Sequence, residues 1–221
     1  IISGNCAVNC RYCFRRHFPY EDNKPNRKQW LDAINYIAAD SSITEVIFSG
    51  GDPLSLGDRQ LDWLCEQLEH IPHLQRLRIH TRLPVVVPSR INEDCLTWLC
   101  RERLQTVVVL HINHAQEIDA HLSESIAKLK AANITVLNQA VLLRDINDSL
   151  DTQIELSEAL FRAGVLPYYL HLLDKVQGGQ HFAVSRESAK MLRSEMLQQL
   201  PGYLMPKFVE EIAGEPSKTP L

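Results

Sequence analysis

Short apolar runs rich in Val, Ile and Leu recur along the chain. Each is followed by a stretch in which apolar residues return every three or four positions. The first kind predicts strands at residues 1–3, 45–49, 76–81, 106–112, 135–142 and 166–172. The second predicts amphipathic helices at 27–39, 59–70, 92–103, 116–132, 150–163 and 185–199. The last of these opens on Ser185 as an N-cap, with Glu187 and Glu195 on its polar side. Six strand–helix alternations are the pattern of an α/β protein with a parallel sheet. They fit a partial (β/α)6 TIM-like barrel, because six strands are too few to close as eight do. A doubly wound open sheet has the same periodicity and is the competing topology. Either arrangement gathers the strand–helix loops at the C-terminal ends of the strands, so the chemistry is expected there.

Composition narrows the picture. At 221 residues, with 45 % hydrophobic and 23 % charged residues, the chain suits one domain over 1–221 with a core that needs no disulfide staples. The net charge of −4 argues against general affinity for nucleic acid or an anionic membrane. No apolar run reaches the ~20 residues of a membrane span. The chain does not open on Met, and it reads as a fragment of a longer protein. Of six cysteines, Cys65, Cys95 and Cys100 sit in helical patterns beside Leu and Trp and read as buried structural thiols. The set suits a cytoplasmic protein with one metal site.

That site is Cys6, Cys10 and Cys13, directly after the first predicted strand. Three thiolates at CxxxCxxC spacing can wrap a [4Fe–4S] cluster and leave one iron for a substrate or cofactor. The competing reading is a zinc-stabilised interaction domain, with His17 completing a Cys3His tetrahedron. The second strand ends in Ser49-Gly50-Gly51-Asp52, either a simple turn or a place where a ligand approaches the backbone. His80-Thr81-Arg82, His111-Ile112-Asn113-His114 and Asn138-Gln139 are further polar groups at strand ends.

Cys6-Ala7-Val8-Asn9-Cys10-Arg11-Tyr12-Cys13, with an aromatic before the last cysteine, resembles the signature of the radical S-adenosylmethionine (SAM) superfamily. The resemblance implies that SAM chelates the open iron and is cleaved to a 5′-deoxyadenosyl radical. It also implies SAM contacts at Tyr12, Gly50, Gly51, Asp52, His111 and Gln139.

A narrower resemblance, to the lysine 2,3-aminomutase family, runs along nearly the whole chain. It rests on Cys13-Phe14-Arg15-Arg16 with His17-Phe18, Pro167-Tyr168-Tyr169 leading to Asp174, Gly179-Gln180-His181-Phe182, and Gly214-Glu215-Pro216-Ser217-Lys218-Thr219-Pro220. It implies a pyridoxal 5′-phosphate (PLP) cofactor carried by Lys218, which would otherwise read as a solvated tail. It implies Arg15 on the carboxylate of L-lysine and Asp174 with Glu211 on its ε-ammonium. Glu211 stands where the family commonly has Asp, and the run before Lys218 is poorer in glycine than usual. The stretches 9–20 and 214–221 resemble the subfamily that makes (R)-β-lysine for elongation factor P, which implies a link to that factor and its lysyl-transferring ligase. A general lysine 2,3-aminomutase and a radical SAM enzyme of another reaction type are the alternatives.

Overall fold

A computed structural model describes residues 1–15 and 26–221. Arg16, His17, Phe18, Pro19 and Tyr20 therefore lie outside the described residues. The described residues form two compact units: 1–7, 26–110 and 124–136 in one, 8–15, 111–123 and 137–221 in the other.

The first unit holds α1 (Arg27–Ala39), β1 (Glu45–Phe48), α2 (Asp58–Glu69), β2 (Arg76–Thr81), α3 (Leu83–Val86), α4 (Glu93–Leu99) and β3 (Gln105–Leu110). α1 starts where the Asn26 side chain accepts from Gln29 N–H at 3.0 Å and the Gln29 side chain returns the bond at 2.8 Å. β1 and β3 flank β2 in parallel, with Glu45 opposite Arg76 and Arg76 opposite Gln105. Burial alternates along β2, so Leu77, Ile79 and Thr81 face inward. α2 buries Leu61, Leu64, Cys65 and Leu68, one face at helical spacing. Asp58 at its start accepts from Trp98 Nε1 at 2.7 Å and from the Arg90 guanidinium at 2.6 Å, tying α2 to α4.

The second unit contains β5 (Leu166–His171), α6 (Leu150–Ala163), α7 (Arg186–Leu197), β6 (Lys207–Glu210) and β7 (Thr219–Pro220). Both α5 (Ala120–Ala131) and β4 (Thr135–Val141) have residues in each unit. β5 runs parallel to β4 and to β6, with Tyr169 opposite Lys207 and His171 opposite Val209. β7 returns antiparallel, pairing Val209 with Pro220 and Glu210 with Thr219. Ser149 caps α6, and Ser185 caps α7 by accepting from Ser188 N–H at 3.0 Å.

Most expected elements are present within one or two residues, three differ, and β6 is additional. Residues 1–3 form only a parallel bridge between Ser3 and Gly50. The helix expected over 92–103 stops at Leu99, and Arg103 instead reaches back to the carbonyls of Glu69 at 2.9 Å and Leu74. Cys100 is consequently exposed rather than buried, whereas Cys65 and Cys95 are fully buried and burial pushes both thiols up to about 12. The helix over 116–132 is a single 3-10 turn at Ala115–Glu117 followed by α5. β6 was not expected, since Phe208-Val209 is a two-residue apolar run between charges that becomes a strand by pairing with β5. Among the described residues no helix is long and apolar enough to cross a membrane.

Candidate active site

The segment leading to Cys6 is strapped to the end of β1. Gly51 N–H donates to Ser3 O at 2.7 Å, and Asp52 N–H to Asn5 O at 2.7 Å. A Cβ on Gly50 would sit 2.2 Å from Ser3 O, and one on Gly51 2.3 Å from Asn5 O. Gly50 also has φ +140°, which side-chain-bearing residues rarely adopt. The chain's own backbone, arriving at Cys6, thus takes up the close approach that these glycines permit. Asp52 is buried, and both carboxylate oxygens accept from the chain. Oδ1 takes Thr81 Oγ1–H at 2.6 Å and Leu54 N–H at 3.0 Å; Oδ2 takes Arg82 N–H at 2.7 Å and Leu83 N–H at 2.8 Å. The geometry gives Asp52 a bracing role, joining the loop after β1 to the loop after β2.

In the second unit, Cys10 and Cys13 terminate a four-residue turn closed by Cys13 N–H donating to Cys10 O at 3.1 Å. A turn of this type brings its first and fourth residues within ~7 Å, which suits two thiolates on one cluster. Both residues between them are held. The Tyr12 hydroxyl accepts from Asn113 Nδ2 at 2.6 Å. The Arg11 guanidinium lies 3.2 Å from His181 Nε2 and 5.1 Å from the Phe182 ring centre, a cation–π approach. Cys6, Cys10 and Cys13 are not in disulfides, and none is fully buried. Among the described residues no three His, Cys, Asp or Glu side chains are gathered as a metal-binding group.

Polar residues after β3 and along β4 divide into two kinds. Asn138 brackets Ile112, accepting from its N–H at 2.9 Å and donating to its O at 3.0 Å. Glu117 accepts from Asn113 and His114 N–H at 2.7 and 3.1 Å, and His114 Nδ1 accepts from Gln116 N–H. These residues shape loops. His111 and Gln139 instead pair with each other, Gln139 Nε2 to His111 Nε2 at 2.6 Å. With the amide nitrogen donating, the imidazole accepts at Nε2 and carries its proton on Nδ1.

The end of β5 and the β6–β7 connection assemble a third group. Gly214, at φ +91°, turns the chain between β6 and β7, and the antiparallel return brings Lys218 beside Glu211. The Lys218 ammonium contacts the Glu211 carboxylate and lies 5.6 Å from the centre of the Tyr169 ring. Tyr169 and His171, two residues apart on one face of β5, have ring centres 5.5 Å apart. Burial, helped by the positive charge of Lys218 and opposed by Glu211, brings His171 down to about 4, so it is neutral at pH 7. Asp174 is shifted upward, first by burial and then by the Glu211 charge, with Lys218 opposing. Arg15 sits 4.9 Å from the ring centre of Phe14.

The Radical SAM superfamily pattern matches residues 1–152, more than half of the chain. The chain belongs to the radical SAM superfamily. Its fold agrees. It superposes on Streptococcus suis SuiB bound to S-adenosylmethionine with a TM-score of 0.64 at 16 % identity, covering 96 % of this chain and 49 % of that one. On anSMEcpe with bound AdoMet and the Kp18Cys peptide the TM-score is 0.66 at 10 % identity, covering 89 % and 57 %. At such identities the likeness is one of fold alone. It selects the partial (β/α)6 barrel of radical SAM proteins over a doubly wound sheet.

Similarity to curated proteins is higher. The chain is 56 % identical over 221 residues to the L-lysine 2,3-aminomutase of Escherichia coli (strain K12) and 58 % identical over 219 residues to that of Haemophilus influenzae. It is 32 % identical over 222 residues to the L-lysine 2,3-aminomutase of Clostridium subterminale. Essentially all of this chain is covered in each case, but it spans only 65 % of the first two proteins and 53 % of the third.

The residues present fit the groups a radical SAM aminomutase uses. A turn carries two cysteines outside any disulfide, and a half-buried amine stands beside an aromatic face. The sequence reading missed His171. Its signal was the alternation Tyr169, His171 at the C-terminal end of a strand, which aims two polar rings at one face.

Proposed function

We propose that this chain is the core of a lysine 2,3-aminomutase that rearranges L-lysine to (R)-β-lysine, an isomerase using a [4Fe–4S] cluster, SAM and PLP. The observation that carries this reading is the setting of Lys218. Its amine is brought by the β6–β7 return to Tyr169, Glu211, His171 and Asp174. When bound, the cluster and SAM supply a carbon radical that removes hydrogen, and PLP supplies a conjugated system that spreads the substrate radical.

The chain's residues do the rest. Cys6, Cys10 and Cys13 would hold the cluster through their thiolates. His111 and Gln139, locked together by their hydrogen bond, offer fixed polar edges to SAM with Tyr12. Lys218 would hold PLP through its amine. Arg15 grips the substrate carboxylate with its fork. Asp174 and Glu211 take the ε-ammonium, and a cation there offsets the burial and like charge that raise Asp174. Holding the substrate at both ends fixes the β-carbon where hydrogen is removed.

Resemblance of residues 9–20 and 214–221 to the elongation factor P subfamily supports that factor, through its lysyl-transferring ligase, as the destination of the product. The lack of disulfides among the six cysteines suits the cytoplasm as the working compartment. Anaerobic incubation of the reconstituted protein with SAM, PLP and L-lysine should yield β-lysine. Addition of the ligase and elongation factor P should then raise the mass of the factor by one lysyl unit. SAM cleavage without β-lysine would leave a radical SAM enzyme of another reaction type.

A further inference from the structure

We propose that Asn113 is a positioning residue for the cysteine turn: through its amide nitrogen it anchors the Tyr12 hydroxyl and so fixes the segment carrying Cys10 and Cys13. The consequence for catalysis rests on the reading above, in which those cysteines ligate the cluster.

The anchor is strong because Asn113 is itself immobilised. It is 5 % exposed, and all of its hydrogen-bonding groups are used. Its Oδ1 accepts from Val141 N–H at 2.9 Å, and its backbone N–H donates to Glu117 Oε1 at 2.7 Å. Its carbonyl accepts from Asn147 Nδ2 at 2.8 Å. Asn147, fully buried, also donates to Val141 O at 2.9 Å, accepts from Leu143 N–H at 2.7 Å, and has its own carbonyl bonded by Gln153 Nε2 at 2.6 Å. A chain of three buried side-chain amides thus runs from α6 through the loop after β4 to the loop after β3.

The remaining donor of Asn113 emerges at Tyr12, one residue before Cys13. Tyr12 occupies an inner position of the Cys10–Cys13 turn, so fixing its ring fixes the plane of that turn. A short bond from a buried amide is less exposed to competing water than the Arg11–His181 contact, which lies at the surface.

The test uses the full chain and two readouts. In the metal-free protein, alkylation by iodoacetamide is followed at each cysteine by mass spectrometry. Tyr12→Phe keeps the ring and loses the acceptor. It should speed alkylation of Cys10 and Cys13 about fivefold, the change in local opening expected when one buried hydrogen bond is lost. Cys65 and Cys95, buried in the other unit, should not change, which excludes general unfolding. Asn113→Asp in the chain that keeps Tyr12, whose carboxylate can accept from both Val141 N–H and the Tyr12 hydroxyl, should leave rates close to wild type. Tyr12→Phe combined with Asn113→Ala should be no faster than Asn113→Ala alone. Unchanged Cys10 and Cys13 rates in Tyr12→Phe, or multiplicative effects in the double variant, overturn the proposal.

The second readout is the reconstituted protein. Tyr12→Phe should take up iron and sulfide as wild type does, yet bind SAM about tenfold more weakly and give a broader spectrum of the reduced cluster. Should wild type take up no iron, the cluster reading of the cysteines falls, and the alkylation rates still decide whether Asn113 anchors the turn.

Discussion

The Lys218 ammonium rests against the Glu211 carboxylate across the connection between β6 and β7. The pair lies one position beyond Glu210 and Thr219, the last partners of the antiparallel ladder, so the return of β7 brings the two residues together. Both were singled out separately by the sequence, one as a cofactor lysine and the other as a binder of substrate ammonium. Their contact makes physical sense of that combination. A carboxylate suited to a substrate ammonium is also suited to a lysine of the chain, and joining Lys218 to PLP would release it.

Lys218→Arg separates the two roles of this residue. A guanidinium keeps the ion pair with Glu211 but cannot hold an aldehyde cofactor at neutral pH. The pair is half-exposed, so stability should stay within about 0.5 kcal/mol of wild type. PLP incorporation, followed by absorbance and by borohydride trapping on the peptide, should vanish, and β-lysine should not form. Slow SAM cleavage should persist. Normal β-lysine output from this variant would remove Lys218 from the mechanism.

His171 should leave a signature in acid. Its folded value of about 4 lies below the usual 6.5, so the unfolded chain takes up a proton first as pH falls. Stability is therefore complete above about 6.5 and is lost as pH drops toward 4, by up to about 3 kcal/mol. Asp174 works in the opposite sense, because a raised carboxyl gains its proton in the fold before it does in the unfolded chain. Denaturant titrations from pH 4 to 7 should show a smaller acid loss in His171→Gln than in wild type. An equal loss in both would place the acid sensitivity elsewhere.

Local pattern made the framework legible: β2, α1 and α6 fall where periodicity put them, since each pairs a clear apolar rhythm with a capping residue or a sheet neighbour. β6 was hidden because its partner supplies what its four residues lack. The site divides in the same way. Cys6, Cys10, Cys13 and Lys218 are proposed because spacing or resemblance names them. Asp52 and Asn113 looked like mouth-facing polar groups, and only tertiary structure shows their hydrogen bonds turned back into the chain. A sequence records that a residue is polar, not which partner satisfies it.

Asp52→Ala should therefore act on stability first. It strands the backbone N–H groups of Leu54 and Arg82 and the Thr81 hydroxyl and leaves Leu83 N–H only its bond to Thr81 Oγ1, at a cost of about 3 kcal/mol or more. Asp52→Asn retains one accepting oxygen and should cost less. Urea unfolding measures both. A folded, fully stable Asp52→Ala protein whose defect lay only in SAM affinity would make Asp52 a cofactor contact rather than a brace.

The cluster assignment and its zinc rival predict opposite results at His17, which only the zinc reading uses. In the iron reading three thiolates suffice, so anaerobically reconstituted wild type should carry about four irons and four sulfides per chain. Cys10→Ala, which removes one end of the Cys10–Cys13 turn, should lose both the metal and SAM cleavage. His17→Ala should keep the iron, because no imidazole is called for. In the zinc reading His17 is the fourth ligand, and the same substitution should weaken zinc binding sharply, since a structural tetrahedral site needs all four protein ligands. Metal analysis of wild type, Cys10→Ala and His17→Ala in one experiment therefore decides between a radical enzyme and a zinc-stabilised fold. Zinc at one per chain, lost with His17, would decide against the radical chemistry.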